Sequence, residues 1–337
     1  MALFIAKRLG AAVLLVIGTI LVAFLLTAVL PGDAATARLG ERAAADPEIV
    51  AAMREQLGLD KPLYEQFFIY VSGVTRGDLG DSVQTARPVM TDLQLFGPAS
   101  AELALAATLI AVIIGGGLGI VAALRANGHL DNVLRALSLG GVSIPIFWFA
   151  LIATAIFSTR LGWFPSSGRL NAGVVPPPRV TGFYTIDSLI AGNFPLFLQA
   201  VQHLILPAIV LSAAMVGLLM RFTRASVLDV LGQEYIRAAE AKGLSGRRVV
   251  FGHVLRGALV PVITVVGTAF ASLLAGTVLV EQIFAWPGIG SYAYRAASTL
   301  DLSAIVGVTI FVALIYIFVN LVTDILYGVI DPRIRRA

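Results

Sequence analysis

Six long apolar runs constrain the fold of this chain more than any other feature. They cover residues 9–30, 101–124, 137–158, 203–222, 258–280 and 304–326, and each is long enough to cross about 30 Å of hydrocarbon as a helix. Only 13% of the residues are charged, whereas a soluble domain carries about a quarter charged residues. The sequence therefore predicts an all-α polytopic membrane protein with six transmembrane helices.

The distribution of basic residues predicts the orientation. Between Arg221 and Arg256 there are seven Lys or Arg residues and three acidic ones, so this segment belongs on the cytoplasmic side. The net charge of +4 and the pI near 9.6 reflect basic residues at span ends, and no nucleic-acid partner is indicated. The first run follows Lys7 and Arg8 and exceeds the apolar core of about 7–15 residues in a signal peptide. We interpret it as an uncleaved first span, which places both termini in the cytoplasm.

The chain divides into a first span at 1–30, an extracytoplasmic insertion at 31–98 and a five-helix core at 99–337. Within the insertion, Pro47 is typical of a first helical position, which predicts a helix ending at Gly58. Pro62 begins a second helix with apolar residues at helical spacing. These helices either pack on the outer surface of the spans or dock an extracellular partner.

The residue inventory argues against an enzyme. The chain has no cysteine and no GxxxxGK[ST] loop, so neither a thiol nucleophile nor a P-loop is present. His203 has no neighbouring ligand residue and is expected to be wetted or hydrogen-bonded rather than metal-bound. A stand-alone secondary transporter remains an alternative, because Asn320 and Asp324 lie in the last span. Near the interface, Asp324 is expected either to reach water or to pair with an arginine such as Arg333.

Several residues predict how the spans pack. Gly115 and Gly119 form a GxxxG pair that permits close helix approach, and Pro145 is expected to kink the third span. Glu102 lies at the outer end of the second span and is expected to reach water. In the fifth span, four small or hydroxyl residues recur every fourth position and share one face, which forms either a path for a polar solute or a packing seam: Thr264, Thr268, Ser272 and Gly276.

The most informative segment is an inner elbow within the loop at 221–257. Ala, Glu, Lys and Arg favour a helix over 237–242, and Gly243 supplies a left-handed cap. Ser245 is a suitable N-cap for a second helix that continues into the fifth span. A helix, a sharp glycine turn and a second helix form a rigid protrusion on the cytoplasmic side.

This elbow resembles the EAA loop of permease subunits in ATP-binding-cassette (ABC) importers. The family pattern is Glu-Ala-Ala, three residues, Gly, nine residues and Ile-x-Leu-Pro. Arg237, His253 and Arg256 depart from it in the manner of the dipeptide, oligopeptide and nickel permeases. The resemblance implies that the following residues couple to an ATPase: Arg237, Ala238, Ala239, Glu240, Lys242, Gly243, Leu244, His253, Leu255 and Arg256.

Four further motifs extend the resemblance along the chain. They are GDLGDS at 77–82 followed by RPV at 87–89, LGWFPSSG at 161–168, EQIFAWPGIG at 281–290 and DPRIR at 331–335. The first is similar to the signature of B-type subunits, and as a Gly-Asp turn we expect it to be structural. The third resembles an outer loop of the family, in which possible gate residues are Glu281, Trp286, Pro287 and Gly288.

The resemblance implies a type I ABC importer permease fold in a bacterial inner membrane. It implies a homologous C-type permease, two ABC ATPases and an extracytoplasmic solute-binding protein or lipoprotein as partners, besides membrane lipid. ATP and Mg would bind the ATPases, and this chain would bind no cofactor. Short peptides are the expected solute, with nickel chelates or other peptide-like solutes as alternatives. Ala239, Lys242, Gly243 and Leu244 are expected to meet the ATPase groove.

Overall fold

The computed structural model describes residues 2–29, 46–57 and 60–330, which are almost entirely helical. Three π-helical segments, at Val112–Gly116, Thr154–Arg160 and Val250–Val254, interrupt the α-helices. The α-helices in chain order are α1 (Ala2–Val29), α2 (Pro47–Leu57), α3 (Leu63–Thr75), α4 (Val89–Ala111), α5 (Gly117–Leu124), α6 (His129–Ser143), α7 (Ile146–Ala153), α8 (Tyr184–Ile190), α9 (Phe194–Leu231), α10 (Glu234–Ala241), α11 (Gly246–Val249), α12 (Leu255–Gly276), α13 (Val278–Ile283), α14 (Ile289–Ser298) and α15 (Leu302–Ile330).

Four of these helical stretches are long and apolar enough to span a membrane, namely Ala6–Leu25, Val89–Leu124, Phe194–Leu231 and Leu302–Ile325. Two bent pairs raise the number to six if each pair counts as one span. His129–Gly141 and Ile146–Arg160 meet at 100°, and Gly246–Leu259 and Pro261–Leu273 meet at 50°. The described part of the chain therefore provides four to six spans.

The third apolar run is broken rather than kinked. The kink predicted within the 137–158 span is instead a break in the helix, because α6 ends at Ser143 and α7 begins at Ile146. Ile144 adopts an extended conformation with ψ 124°, since the proline ring that follows disfavours a helical conformation at the preceding residue. The Pro145 position was predicted correctly, but its effect on the helix direction is larger than a kink.

Helix α9 is the centre of the fold and is longer than its apolar run. It packs against α4, α5, α6 and α12, and two thirds of its most apolar window is buried (67%). Its start lies before the predicted 203–222 span because the Asn193 side chain accepts a hydrogen bond from the Leu196 N–H at 3.1 Å. That cap satisfies one of the free donors of the first turn.

The GxxxG pair brings two helix backbones together, as predicted. A Cβ on Gly115 would lie 2.7 Å from the Val216 carbonyl oxygen, and one on Gly119 would lie 2.7 Å from the Met220 carbonyl oxygen. Both contacts are with α9, so side chains larger than hydrogen would hold α5 and the preceding π-helical segment away from it. The packing interpretation of these glycines is confirmed.

The N-terminal helix and the insertion pack on the last helix. Helix α1 lies along α15, with an ion pair of 2.8 Å between Arg8 and Asp324 near one end. Towards the other end, Phe24 of α1 contacts Phe67 and Tyr70 of α3, with ring centroids 5.5 and 5.8 Å apart. Helix α3 therefore packs on the spans, and Asp324 pairs with an arginine other than Arg333, which lies outside the described residues.

Both insertion helices begin where the sequence predicts. The backbone N–H of Glu48 donates to the Asp46 carboxylate at 3.0 Å, which starts α2, and Pro62 precedes α3. The predicted end of α2 at Gly58 lies outside the described residues. The DPRIR tail at 331–335 lies outside them as well.

Candidate functional site

The inner elbow has the predicted helix–glycine–helix geometry. Helix α10 ends at Ala241, and Gly243 has a φ of +77°, a left-handed conformation that side chains disfavour. The Gly243 N–H donates to the Glu240 carbonyl at 2.9 Å, which closes the helix end. Ser245 occupies the N-cap position of α11, although its side chain makes no capping hydrogen bond.

The underside of the elbow packs on one end each of α5, α9 and α12. Its residues Ile236, Ala239 and Val249 share one buried cluster with Ala123 of α5 and Val227 of α9. Val254 and Ala258, at the start of the fifth apolar run, complete the same cluster. Because a close-packed interior transmits displacement, a force on the elbow reaches these three helix ends together.

The opposite face of the elbow is exposed. Most of the predicted coupling residues lie there or on the following turn: Arg237, Ala238, Glu240, Lys242, Gly243, His253 and Arg256. Leu244 and Leu255 are half-buried, whereas Ala239 is only 7% exposed. The structure thus gives Ala239 a packing position under the helix and leaves a basic outer surface, to which Arg247 and Arg248 add.

The hydroxyl face of α12 is largely exposed in the described part of the chain. Thr268 and Ser272 are exposed, and Thr264 is half-buried. The Ser272 hydroxyl donates to the Thr268 carbonyl at 3.0 Å. Contact with α15 runs instead through Gly267, where a Cβ would collide with the Thr323 hydroxyl. Both open interpretations, a solute path and a seam, therefore refer to a surface that the described chain leaves uncovered.

The predicted outer loop around Glu281 is held inside the protein. The Glu281 carboxylate accepts hydrogen bonds from the Ser100 hydroxyl at 2.5 Å and from the Ser291 N–H at 2.7 Å. A Cβ on Gly288 would collide with that carboxylate and with Ser100. Burial raises the pKa of the Glu281 carboxyl, and these donors oppose the rise. The glycine is therefore needed for the carboxylate to reach α4.

A tryptophan of the same turn is hydrogen-bonded to α4. Trp286 is 1% exposed, and its indole N–H donates to the Ala99 carbonyl at 2.9 Å. Pro287 alone of the four predicted gate residues is exposed. A gating movement of this turn would break buried hydrogen bonds to α4, so the gate role stays a prediction.

A buried ion pair joins α4 to the outer segment at 160–193. Arg169 contacts the Glu102 carboxylate at 2.5 Å and lies 3.6 Å from the centroid of the Tyr184 ring. The expectation that Glu102 reaches water is wrong, because it is 4% exposed. The partners of the Glu102 carboxylate are Arg169, 67 residues away in sequence, and the Thr185 hydroxyl at 2.6 Å. The sequence does not reveal either of them.

Two other polar residues fix the path of that outer segment. His203 is buried, and its Nδ1 lies 3.1 Å from the carbonyl oxygens of Ser167 and Gly168, so the hydrogen-bonded alternative holds. The Asp187 carboxylate accepts from the backbone and hydroxyl of Thr181. Burial opposes ionisation of Asp187, but these hydrogen bonds outweigh it and lower its pKa.

The GDLG motif forms a structural turn. Gly77 and Gly80 have φ values of +82° and +84°, which only glycine adopts readily. The Ser82 hydroxyl that follows donates to the buried Asp301 carboxylate at 2.6 Å.

No group of three or more metal-ligating residues occurs among residues 2–29, 46–57 and 60–330.

Comparison with known proteins identifies the family. Residues 115–336 match the binding-protein-dependent transport system inner membrane component family, and residues 1–91 match the N-terminal region of such membrane components. The chain is 46% identical to the di/tripeptide transport system permease protein DppB of Pseudomonas aeruginosa, over 98% of each chain. It is 44% identical to the probable D,D-dipeptide transport system permease protein DdpB of Escherichia coli, over 98% of this chain and 96% of that one.

A glutathione transport system permease protein, GsiC of Escherichia coli, is 37% identical over 98% of each chain. Among solved structures, the inward-facing MetNI methionine ABC transporter superposes with a TM-score of 0.51 at 15% identity. That match covers 69% of this chain and 93% of the other, and it supports the fold of a type I ABC importer permease. The chain therefore belongs to the family of inner-membrane permease components of binding-protein-dependent ABC importers, and it is not an enzyme.

Proposed function

We propose that this chain is the B-type permease of an importer for short peptides, driven by two ATPases that grip the exposed face of the elbow. The observation that carries the proposal is the two-sided elbow. Lys242 and Gly243 are exposed on one face, and the opposite face packs on three helix ends. A contact on one side therefore moves the spans on the other side.

The finer architecture follows from the same orientation. Six spans, with each bent pair counted as one, place both termini and the loop at 221–257 in the cytoplasm. The insertion at 31–98 then lies outside, with α3 on the outer ends of α1 and α15. Acidic residues outnumber basic ones in this insertion, as the positive-inside rule expects. Residues 99–337 form the five-helix core.

Partners complete the transport cycle. A homologous C-type permease would pack against the exposed face of α12. The α12 hydroxyls of Thr264, Thr268 and Ser272 would then border the path between the two permeases. An extracytoplasmic solute-binding protein or lipoprotein would deliver the peptide to the outer mouth. ATP and Mg bind the ATPases, whose closure shifts the permeases between two packings of similar free energy.

Peptides are proposed as the solute on the strength of the relatives. Two of the similar permeases carry names for di- or tripeptide transport and one for glutathione transport. Competition of labelled dipeptide uptake by glutathione and by a nickel chelate separates the alternatives. The carrier alternative loses its motivation, because Asp324 pairs with Arg8 instead of standing alone in the span.

The coupling role is tested by substituting two glycines of the elbow region. A Cβ would meet nothing within 4 Å at either Gly243 or Gly252, but only Gly243 has a positive φ. Gly243→Val is expected to abolish dipeptide uptake although the variant is present in the membrane at the wild-type amount. Valine strains the turn that shapes the surface to which the ATPases bind. Gly252→Val is the matched control and retains uptake. Normal uptake by Gly243→Val at a normal level would overturn the proposal.

A further inference from the structure

Helix α6 is connected to the elbow in a different way from the other inner helix ends. It is the first half of the broken third span, and the buried cluster of the elbow contains residues of α5, α9 and α12 but none of α6. Apolar contact between α6 and its neighbours is made by Leu134 with Ala122 and Met220. Contacts of this kind are non-directional, so they hold α6 against its neighbours without fixing one angle or register.

A bidentate ion pair joins α6 to α9 at the same level. The Arg224 Nε donates to Asp131 Oδ1 and the Arg224 Nη2 donates to Asp131 Oδ2, both at 2.7 Å. The Asn127 N–H donates to Oδ2 at 3.0 Å. The Asp131 side chain is fully buried, and that of Arg224 is 20% exposed. Two parallel N–H···O bonds fix both the distance and the angle between the side chains.

The position of Arg224 places this pair directly beside the elbow. Val227 lies one helical turn further along α9 and belongs to the buried cluster under α10. On the other side of Arg224, a Cβ on Gly119 would lie 3.2 Å from the Arg224 backbone nitrogen. Arg224 therefore sits where α5, α9 and α6 meet, one turn from the surface that the elbow packs on.

We propose that Asp131 is a positioning residue that ties the broken third span to the coupling elbow, so that movement of the elbow carries α6 with it. The inference rests on the proposed function, since it presumes that the ATPases act through the elbow. Without the pair, the elbow would still move α5, α9 and α12, but α6 would follow only through the short connection at 125–128 and through apolar contacts. ATP would then be hydrolysed without a matching movement of the third span.

The test compares uptake with ATP hydrolysis in the complete transporter, reconstituted in proteoliposomes with its binding protein and a labelled dipeptide. Arg224→Lys keeps the positive charge but removes the planar guanidinium that makes two parallel hydrogen bonds. Asp131→Asn keeps the shape of the side chain but removes its negative charge. Both are expected to lower the amount of dipeptide taken up per ATP by about tenfold, within the 5–150-fold typical of coupling between sites. Assembly of the complex and the ATPase rate should remain near the wild type.

Arg221→Lys is the matched control, because Arg221 is exposed and lies three residues earlier on the same helix. It should leave the ratio of uptake to ATP hydrolysis unchanged. If Asp131→Asn fails to accumulate, Arg224→Lys still tests the proposal. Proportional loss of uptake and ATP hydrolysis would assign the pair a purely structural role and overturn the proposal, and so would an unchanged ratio in a fully assembled complex.

A second measurement follows the movement itself. The chain contains no cysteine, so spin labels can be placed at Asn132→Cys on α6 and Ala241→Cys on the elbow, both exposed positions. In the wild-type background the distance between the labels should stay constant between the nucleotide-free and ATP-trapped states, and Arg224→Lys should broaden it. A distance that changes equally in both backgrounds would contradict the proposal.

The outcomes separate this inference from the proposed function. If Gly243→Val transports normally, the elbow is not the coupling element and the proposed function fails. If Gly243→Val uncouples uptake while Arg224→Lys and Asp131→Asn keep the wild-type ratio, the elbow stands and only the role of Asp131 is refuted.

Discussion

Replacement of Gly119 by alanine should loosen the contact between α5 and α9, and its cost follows from the structure. The new Cβ would lie 2.7 Å from the Met220 carbonyl oxygen, whereas ordinary contact begins at 3.4 Å, so the two helices must separate by about 0.7 Å. Two neighbours of this Cβ are backbone atoms of α9, the Met220 carbonyl oxygen and the Arg224 nitrogen, which cannot rotate away. Overpacking of this kind costs about 1–3 kcal/mol.

Gly117→Ala provides a matched control on the same helix, because a Cβ there meets nothing within 4 Å. Alanine is favoured over glycine inside a helix by about 0.5–1 kcal/mol, and this gain applies to both variants. The difference in stability between Gly119→Ala and Gly117→Ala therefore isolates the close approach, and we expect about 1–3 kcal/mol.

The assay is thermal unfolding of the purified chain in mild detergent. After heating to each temperature, size-exclusion chromatography measures the fraction that remains monodisperse. Gly119→Ala should unfold several degrees below the wild type, and Gly117→Ala at or above it. Gly115→Ala, which would place a Cβ 2.7 Å from the Val216 carbonyl oxygen, should behave like Gly119→Ala. Equal unfolding temperatures for Gly119→Ala and Gly117→Ala would refute the reasoning.

Three further predictions concern polar contacts. Trp286→Phe leaves the buried Ala99 carbonyl without its donor and should destabilise the chain by about 1–3 kcal/mol in the same assay; an unchanged unfolding temperature would contradict the contact. Asp187→Asn should lower the unfolding temperature at pH 7, since the lowered pKa of Asp187 makes its contribution present above the ordinary value of about 3.9 and lost as pH falls below it. The difference from the wild type should therefore shrink on acidification, and a constant difference would be evidence against the shift. Asp324→Asn should leave dipeptide uptake close to the wild type, because a half-exposed pair with Arg8 contributes about 0.2–1 kcal/mol; abolished uptake would revive a proton-coupling role.

Features encoded in a few consecutive residues could be predicted from the sequence. Pro47 and Pro62 mark helix starts, and Gly243 marks the elbow turn, because each residue restricts or permits a backbone conformation on its own. The GxxxG pair likewise implied a close helix neighbour. The identity of that neighbour, α9, was not accessible, since nothing in the spacing of Gly115 and Gly119 states which helix fills the groove.

Contacts between distant residues could not be predicted. Glu102 was expected to reach water, because a carboxylate at the end of an apolar run normally does so, and its partner Arg169 lies in a proline-rich outer segment without a periodic pattern. The available signal was a carboxylate within the first residues of an apolar run, since ionisable groups in such segments usually pair with another charge. The kink at Pro145 was predicted but the size of the direction change was not, since a proline predicts a break but not its angle.

The packing of α1 along α15 has a consequence for biosynthesis. Arg8 lies near the beginning of the chain and Asp324 near its end, so the ribosome, adding about 5–20 residues per second, needs roughly 15–60 s to supply the partner of Arg8. Through that interval the first helix resides in the bilayer with its apolar residues against lipid and its arginine at the headgroups, a placement that a long basic side chain tolerates. Helix α1 can thus pack on α3 early in synthesis, but it gains its contacts with α15 only when that helix enters the membrane.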